Sequence, residues 1–295
     1  MAEARVGIRC QRRLWLVGDG FSATAALAYA ARVLGVTGVV SVSGHRKSSR
    51  DRIPWEPLLG KRAAALGIRH LDQDQFERCQ LSSHDVVVII GYDTIVSKEH
   101  LREARFINFH SGLLPMYRGA RTNVWPILNG ELRAGVTCHV VVAALDAGPI
   151  IATREFDLQP DETARSLYRR LAAASALLFR SQFGRLLTGA YSTHSQDIST
   201  AKMYRKNSID FRVTEIDFTR SASFVNRFVR AMFFPEFQTA TVSGRPVYEA
   251  RVSTRLSTAQ PGTQLTDVVD GWLRFATSDF DVDLRIVDRT SVRRA

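Results

Sequence analysis

Residues 14–42 read LWLVGDGFSATAALAYAARVLGVTGVVSV, and this stretch decides the fold. A short apolar run at residues 14–17 leads into a Gly-Asp-Gly turn at residues 18–20. The alanine-rich residues 23–34 are compatible with a helix, and residues 39–42 form a second valine-rich run. The order strand, glycine turn, helix, strand is typical of the βαβ unit of a parallel sheet.

The same alternation continues along the chain. A helix-like segment at residues 57–66 precedes the unbroken β-branched run 86–90, which suits a strand buried on both faces. Residues 106–109 and 135–142 are further strand candidates. We therefore predict an α/β fold with a Rossmann-like, mostly parallel sheet flanked by helices.

The glycine turn has the spacing of a dinucleotide-binding fingerprint, with Gly18, Gly20 and Ala23 in its three positions. That fingerprint also requires an Asp or Glu after the next strand, where residues 43–45 are Ser-Gly-His. A tight strand-to-helix turn explains both glycines more simply. The sequence therefore does not predict a bound dinucleotide.

The pattern changes in the second half of the chain. A long amphipathic helix with Asp161 as its expected N-cap is followed by a Ser/Thr-rich connector at residues 191–200. Residues 221–232 predict a shorter helix with one apolar face, and several short strand candidates follow it. We predict two domains: residues 1–195, and a smaller mixed α+β domain rich in short strands at residues 196–295.

Composition narrows the functional classes. The net charge of +11 indicates an anionic partner such as a nucleotide, a polyglutamylated cofactor or nucleic acid, or else an arginine-rich solvated surface. The three cysteines are widely spaced and form no CxxC pair, which disfavours a disulfide framework or a structural zinc site. The turn at residues 18–20 interrupts the first apolar stretch, so we predict neither a signal peptide nor a spanning helix, and a cytoplasmic location.

The residues that suggest chemistry lie between positions 107 and 151. Asn108 and His110 are two apart on a short strand, so both side chains project from one face at the carboxyl end, where open parallel sheets bind ligands. Asp146 ends another strand candidate. For acyl transfer to an amine, His110 is a candidate general base, Asn108 an oxyanion donor and Asp146 the group that orients His110. The alternative is a structural His–Asn pair that is satisfied by its neighbours.

A longer set of ordered residues resembles a known family. The set comprises Asn108-x-His110, Leu113-Leu114-Pro115-x-Tyr117-Arg118-Gly119, Trp125, Asn129-Gly130-Glu131, Gly135-Val136-Thr137 and Leu145-Asp146-x-Gly148. It is similar to the signature of the 10-formyltetrahydrofolate-dependent formyltransferases, closest to the sugar-nucleotide N-formyltransferases and also like methionyl-tRNA formyltransferase. The chain departs from that pattern at Gly112, where the family usually has Ser, and at Ala147, where it often has Thr.

The resemblance implies an enzyme with N10-formyltetrahydrofolate as co-substrate and no metal. It places Asn108, His110 and Asp146 in the catalytic positions and the folate between two loops. The residues implied for folate binding are Tyr92, Asp93, Thr94, Leu113, Leu114, Pro115, Val142, Ala143, Ala144 and Leu145.

The second region is expected to select the acceptor. By resemblance to the sugar-nucleotide N-formyltransferases, the residues implied for binding a nucleotide-linked amino-dideoxysugar are Tyr204, Arg205, Lys206, Arg230 and Phe234. Alternatively, these are core aromatics and solvated arginines of a small domain. The short strands and apolar helix of this region also suggest a homodimer contact.

Other acceptors and functions stay open at this point. A basic loop, with His45, Arg46, Lys47, Arg50 and Arg52, favours methionyl-tRNA as a competing acceptor. Hydroxyornithine is a third acceptor. A folate- or RNA-binding module without catalysis is the non-enzymatic alternative.

Overall fold

The structure is a computed structural model that describes residues 13–44, 53–91, 99–265 and 271–286. Internal contacts divide the chain into two compact units. The first unit consists of Met1–Arg118, Gly135–Arg154 and Ala172–Lys202, and the second consists of Gly119–Ala134, Glu155–Leu171 and Met203–Ala295. The predicted boundary at residue 195 falls inside the last segment of the first unit, and the two-domain division by sequence stays a prediction.

The strands alternate with helices along the first half of the chain, as the sequence predicts. The strands are β1 (Leu14–Gly18), β2 (Val39–Val42), β3 (Arg69–Leu71), β4 (Val86–Ile90), β5 (Arg105–His110), β6 (Arg118–Gly119), β7 (Arg133–Val140), β8 (Ile150–Asp157), β9 (Met203–Tyr204), β10 (Ala240–Val242), β11 (Arg245–Leu256), β12 (Trp272–Phe275) and β13 (Phe280–Ile286). The α-helices are α1 (Gly20–Leu34), α2 (Leu59–Leu66), α3 (Gln73–Glu77), α4 (His100–Glu103), α5 (Trp125–Asn129), α6 (Ala164–Thr188) and α7 (Ala222–Met232).

Among the described residues, seven strands form one sheet in the order β3-β2-β1-β4-β5-β7-β8. Strands β3, β2, β1, β4 and β5 are parallel, and β7 runs antiparallel to β5. All residues of β1, β2 and β4 are buried, which explains their continuous apolar sequences. The predicted Rossmann-like, mostly parallel sheet is confirmed.

The turn between β1 and α1 is built for close packing. A Cβ on Gly18 would overlap the Ile90 carbonyl oxygen, and a Cβ on Gly20, which has φ +78°, would overlap the Glu56 carboxylate. Asp19 Oδ1 accepts a hydrogen bond from Leu59 N at 3.1 Å. Two of the chain's own carboxylates therefore lie at the start of α1. This supports the structural explanation of the glycines over a site for a dinucleotide pyrophosphate.

The second unit has its own antiparallel sheet, in the order β10-β11-β13-β12 within the described range. Helix α7 begins after Ser221, whose side chain accepts a hydrogen bond from Phe224 N. Its buried residues Val225, Val229 and Met232 pack in one core with residues of the sheet. This agrees with the predicted C-terminal part that is rich in short strands.

Helix α6 starts later than the sequence suggests. The prediction that Asp161 caps it is wrong, since the helix begins at Ala164 and the Thr163 hydroxyl accepts a hydrogen bond from Ser166 N at 3.2 Å. Asp161 and Thr163 are both good capping residues, and only the local backbone path selects between them. No helix within the described ranges is both long and apolar enough to cross a bilayer.

Two glycine substitutions should change stability in opposite directions. We expect Gly18→Ala to lower the free energy of unfolding by about 1–3 kcal/mol, because the added methyl group has no space against Ile90. Gly184→Ala in α6 should raise it by roughly 0.5–1 kcal/mol, since a Cβ there meets nothing within 4 Å and alanine favours a helix. Denaturant unfolding followed by circular dichroism measures both. Equal stability of the two variants would contradict the steric argument.

Candidate active site

The pairing of β5 with β7 brings the central polar residues together. In this antiparallel register Asn108 lies opposite His139, and His110 lies opposite Thr137. Residues directly opposite in an antiparallel pair share a face and have neighbouring side chains. The four polar side chains therefore form one group near the carboxyl end of β5.

Asp146 reaches the same group from the loop that follows β7. Its Oδ2 lies 3.6 Å from His110 Nδ1, and its Oδ1 lies 3.5 Å from Asn108 Nδ2. His110 and Asp146 are each only 8% exposed. The structure thus places the three sequence-predicted catalytic side chains in one cluster within the first unit, with Asn108 half-buried.

Backbone contacts assign the tautomer of His110. Its Nε2 lies 2.6 Å from the Tyr117 carbonyl oxygen, which only accepts hydrogen bonds, so Nε2 carries the proton. In the neutral ring Nδ1 then holds the lone pair and faces Asp146. Burial lowers the pKa of His110 below its ordinary value of 6.5, although Asp146 and the Tyr117 hydrogen bond act in the opposite direction. The lowered pKa favours the neutral ring, in which Nδ1 can act as a base.

His139 is a member of the cluster that the sequence reasoning missed. Its Nδ1 lies 2.9 Å from the Val140 carbonyl oxygen and must donate to it, so Nε2 is an acceptor. Asn108 Nδ2 donates to that Nε2 at 3.2 Å. His139 therefore orients the Asn108 carboxamide. The available signal was its position two residues after Thr137, on the same face of a predicted strand.

The buried hydroxyl of Thr137, on β7, holds the turn that follows His110 in place. Thr137 Oγ1 donates to the Gly112 carbonyl oxygen at 2.7 Å and accepts from Leu114 N at 3.1 Å. A Cβ on Gly112 would lie 2.9 Å from both His110 Nε2 and the Tyr117 carbonyl oxygen. The glycine at this position thus leaves room for the hydrogen bond that sets the His110 tautomer.

Comparison with known proteins identifies the family. A family model described as formyl transferase matches residues 24–181. The methionyl-tRNA formyltransferase of Roseiflexus castenholzii is 34% identical over 255 residues, which cover 83% of this chain and 80% of that protein. The chain belongs to the formyl transferase family. Its members are enzymes, so this formyl transferase is an enzyme, as the sequence predicts, and the alternative of a binding module without catalysis is not supported.

Two solved structures share the fold of this formyl transferase over nearly its whole length. One is WlaRD, a sugar 3N-formyl transferase determined in the presence of dTDP and 5-N-formyl-THF, with a TM-score of 0.82, 20% identity, and coverage of 95% of this chain and 99% of that chain. The other is the N-formyltransferase from Helicobacter canadensis in complex with folinic acid and dTDP-3-aminofucose, with a TM-score of 0.81, 20% identity, and coverage of 94% and 100%. At 20% identity, this structural similarity establishes that the chain shares their fold.

The residues expected to bind folate fall into three groups. Leu113 and Leu114 are buried beside His110, and Pro115 is half-buried. The loop of residues 142–145 is exposed, with Val142 at 39% and Leu145 at 54%, and it leads directly into the buried Asp146. Tyr92, Asp93 and Thr94 lie outside the described residues, as does the basic loop with His45, Arg46, Lys47, Arg50 and Arg52.

Three of the residues expected to bind the acceptor lie together on the second unit. The Tyr204 ring packs against Trp125 with centroids 4.6 Å apart, and its hydroxyl accepts a hydrogen bond from Asn129 Nδ2 at 2.9 Å. Arg205 and Lys206 follow it and are exposed. This arrangement offers an anchored aromatic ring beside two accessible cations.

The other two acceptor candidates are held by protein contacts. Arg230 donates through Nε to Asn226 Oδ1 at 2.9 Å and through Nη1 to the Glu162 carbonyl oxygen at 3.0 Å. Phe234 is only 4% exposed, and its ring lies 5.8 Å from that of Tyr168. These contacts give Phe234 a packing role and engage two N–H groups of Arg230. Neither residue therefore supports the expected role in acceptor binding.

The structure also bears on metal binding. Across the part of the chain that it describes, no group of three or more His, Cys, Asp or Glu side chains has an arrangement suited to a metal ion.

Nitrogen NMR of the histidine side chains tests the proton assignment. We expect His110 as the Nε2–H tautomer and His139 as the Nδ1–H tautomer, because each donates to a backbone carbonyl. The pKa of His110 should lie below 6.5, and Asp146→Asn should lower it further because the carboxylate that favours the charged ring is removed. A pKa of His110 above 6.5, or a higher value in Asp146→Asn, would contradict this assignment.

Proposed function

We propose that this formyl transferase moves the formyl group of N10-formyltetrahydrofolate to the primary amine of a nucleotide-linked amino-dideoxysugar. The observation that carries the proposal is the cluster in which His110 Nδ1 and Asn108 Nδ2 both face the Asp146 carboxylate, at 3.6 and 3.5 Å. The cluster combines a neutral base, a hydrogen-bond donor and an acid. These are the groups that acyl transfer to nitrogen requires.

His110 is suited to accept the proton that the amine loses. When the amine nitrogen attacks the formyl carbon, a C–N bond forms and the carbonyl oxygen takes the negative charge. The proton on the new ammonium group then moves to His110 Nδ1, since Nε2 is committed to the Tyr117 carbonyl. Collapse of the intermediate breaks the bond from the formyl carbon to N10 of the folate, and a proton is returned to N10. The products are a formamide and tetrahydrofolate.

Asn108 is suited to stabilise the oxyanion. One N–H of its carboxamide is held by His139 Nε2 at 3.2 Å, whereas the contact with Asp146 Oδ1, at 3.5 Å, is at the limit of a hydrogen bond. The second N–H can therefore donate to a formyl oxygen that takes the place of this weak contact, at little cost. An oxyanion donor of this type contributes about 3–4 kcal/mol to transition-state stabilisation.

Asp146 supports His110 once the imidazole is charged. Its Oδ2 faces Nδ1, the atom that receives the proton, and the buried position strengthens the attraction between the two charges. The same carboxylate favours the protonated ring and so opposes the effect of burial on the His110 pKa. Asp146 therefore stabilises the protonated His110 ring until the proton is returned to N10.

The folate co-substrate is supported by the ligands of the solved relatives. WlaRD was determined with 5-N-formyl-THF, and the Helicobacter canadensis enzyme with folinic acid. In this chain the exposed loop of residues 142–145 and the buried Leu113 and Leu114 flank the catalytic cluster in sequence. Apolar side chains in an accessible loop are suited to contact a pterin ring.

The sugar-nucleotide acceptor is supported by the extent of the structural likeness and by the second unit. The match to the two sugar N-formyltransferases covers 95% and 94% of this chain, so it includes the C-terminal strands. Tyr204 offers a ring face for a nucleotide base, and the exposed Arg205 and Lys206 are suited to a pyrophosphate. The cytoplasmic location and the homodimer stay predictions.

Methionyl-tRNA is the second candidate acceptor, and the 34% identity to the Roseiflexus castenholzii enzyme favours it. The net charge of +11 suits RNA as well as a nucleotide. The two acceptors share a primary amine, so the catalytic cluster does not discriminate between them.

Replacing His110 should remove the base without removing the side-chain volume. We expect His110→Gln to lower kcat roughly 10²–10⁴-fold, because an amide side chain cannot accept the proton that the amine loses. The matched control is His84→Gln, at an exposed position, which should keep wild-type kcat. Formyl-transfer rates with both variants, at equal unfolding midpoints, measure the effect. Full activity of His110→Gln would overturn the proposed role.

The acceptor is tested by a formyl-transfer assay with N10-formyltetrahydrofolate. The panel comprises nucleotide-linked amino-dideoxysugars that differ in base and amine position, charged initiator tRNA, and hydroxyornithine. We expect turnover of a sugar nucleotide and none of the tRNA. Turnover of the tRNA alone, with binding that weakens steeply as salt is raised, would instead establish the second candidate.

A further inference from the structure

The connector after α6 lies against both loops of the catalytic cluster. His194 exchanges two backbone hydrogen bonds with Ile150, at 2.8 and 3.0 Å. At its other end, Lys202 N donates to the Pro115 carbonyl oxygen at 3.1 Å, and Arg118 N donates to the Lys202 carbonyl oxygen at 3.0 Å. The segment expected to be a linker is therefore tied to the loop of Asp146 and to the turn that follows His110.

Gln196 lies in the middle of this segment and bonds to both loops at once. Its Nε2 donates to the carbonyl oxygens of Asp146 and Gly148, at 2.8 and 2.7 Å. Its Oε1 accepts from the Arg118 guanidinium, through Nε at 3.1 Å and Nη2 at 2.8 Å. Every polar atom of the amide has a partner, and Arg118 directly follows Tyr117, whose carbonyl holds His110.

The Asp146 backbone requires such support. Asp146 has φ +49°, in the left-handed region that a residue with a Cβ enters only when its surroundings hold it there. Two residues on, a Cβ on Gly148 would overlap the Val140 carbonyl oxygen, so the loop is packed tightly on the end of β7. The two carbonyls that Gln196 binds belong to Asp146 itself and to Gly148, so the glutamine holds the backbone from which the Asp146 side chain projects.

We propose that Gln196 is a positioning residue for formyl transfer, which aligns the Asp146 carboxylate with His110 by joining the 146–148 backbone to Arg118. The inference rests on the proposed roles of Asp146 and His110. A glutamine suits this task because one planar amide donates twice in one direction and accepts in the other. A shorter side chain would not reach both Arg118 and the 146–148 backbone, and a carboxylate could not donate to the two carbonyl groups.

Gln196→Met and Gln196→Glu separate the two sets of bonds. The methionine variant keeps the volume and loses all four hydrogen bonds, whereas the glutamate keeps the contact with Arg118 and loses the two donations. We expect both to lower kcat by about 10- to 100-fold, the effect typical of misplacing a catalytic group. Gln182→Met is the matched control, since that amide donates only a long 3.4 Å bond to the Ser181 hydroxyl on α6, and it should keep wild-type kcat.

The pH profile distinguishes positioning from a purely structural role. The titratable groups that act on His110 are Asp146, which raises its pKa, and His139, which lowers it. If Asp146 moves away, the pKa of His110 falls, and the acid limb of kcat/KM in both Gln196 variants should shift to lower pH. Loss of activity with an unchanged acid limb, or wild-type kcat in Gln196→Glu, would overturn the inference.

Combination with Asp146→Asn separates this inference from the proposed function. We expect Gln196→Met to cause no further loss of kcat in the Asp146→Asn background, because the group that it positions is already disabled. Additive losses would show that Gln196 acts through something other than Asp146. If Asp146→Asn alone keeps wild-type kcat, the proposed role of Asp146 fails. An inactive Asp146→Asn beside a fully active Gln196→Met would reject the inference alone.

Discussion

The antiparallel register of β7 against β5 is the constraint on which the site depends. It sets Asn108 opposite His139 and His110 opposite Thr137. Since side chains alternate along a strand, a slip of one residue would turn His139 and Thr137 away from their partners. Most residues of both strands are buried, which fixes the register strongly. The orientation of the polar side chains on β5 and β7 is thus a direct consequence of sheet packing.

Backbone carbonyl groups, more than side chains, determine the proton positions in the cluster. His110 donates to the Tyr117 carbonyl and His139 to the Val140 carbonyl, so two neighbouring histidines are fixed in opposite tautomers. One presents Nδ1 to Asp146, and the other presents Nε2 to Asn108. Because a carbonyl can only accept, each neutral ring keeps its tautomer as long as the turn and the strand remain folded.

The cluster of Asn108, His110 and Asp146 lies within one unit, while the candidate acceptor residues Tyr204, Arg205 and Lys206 belong to the other. This separation is consistent with relatives that act on acceptors as different as a charged tRNA and an aminosugar. Such acceptors have a primary amine in common and little else. A fold and a residue cluster suited to the formylation of one amine suit the formylation of another. The residues that contact the acceptor therefore decide which amine is used.

The sequence alone determined the parallel sheet, since runs such as residues 86–90 have the composition of strands buried on both faces. It also placed Asn108 and His110 on one strand face. Their convergence with Asp146, which is 36 and more residues away in the chain, depends on the loop after β7 and appears only in the structure. The contacts of His139 and Gln196 are likewise with residues distant in sequence and with backbone atoms. The position of His139 on a predicted strand, two residues after Thr137, was a signal for it, whereas Gln196 has no signature in the residue types. Strand composition is a local property, whereas the hydrogen-bond partner of a buried amide or imidazole is set by the packing of the whole unit.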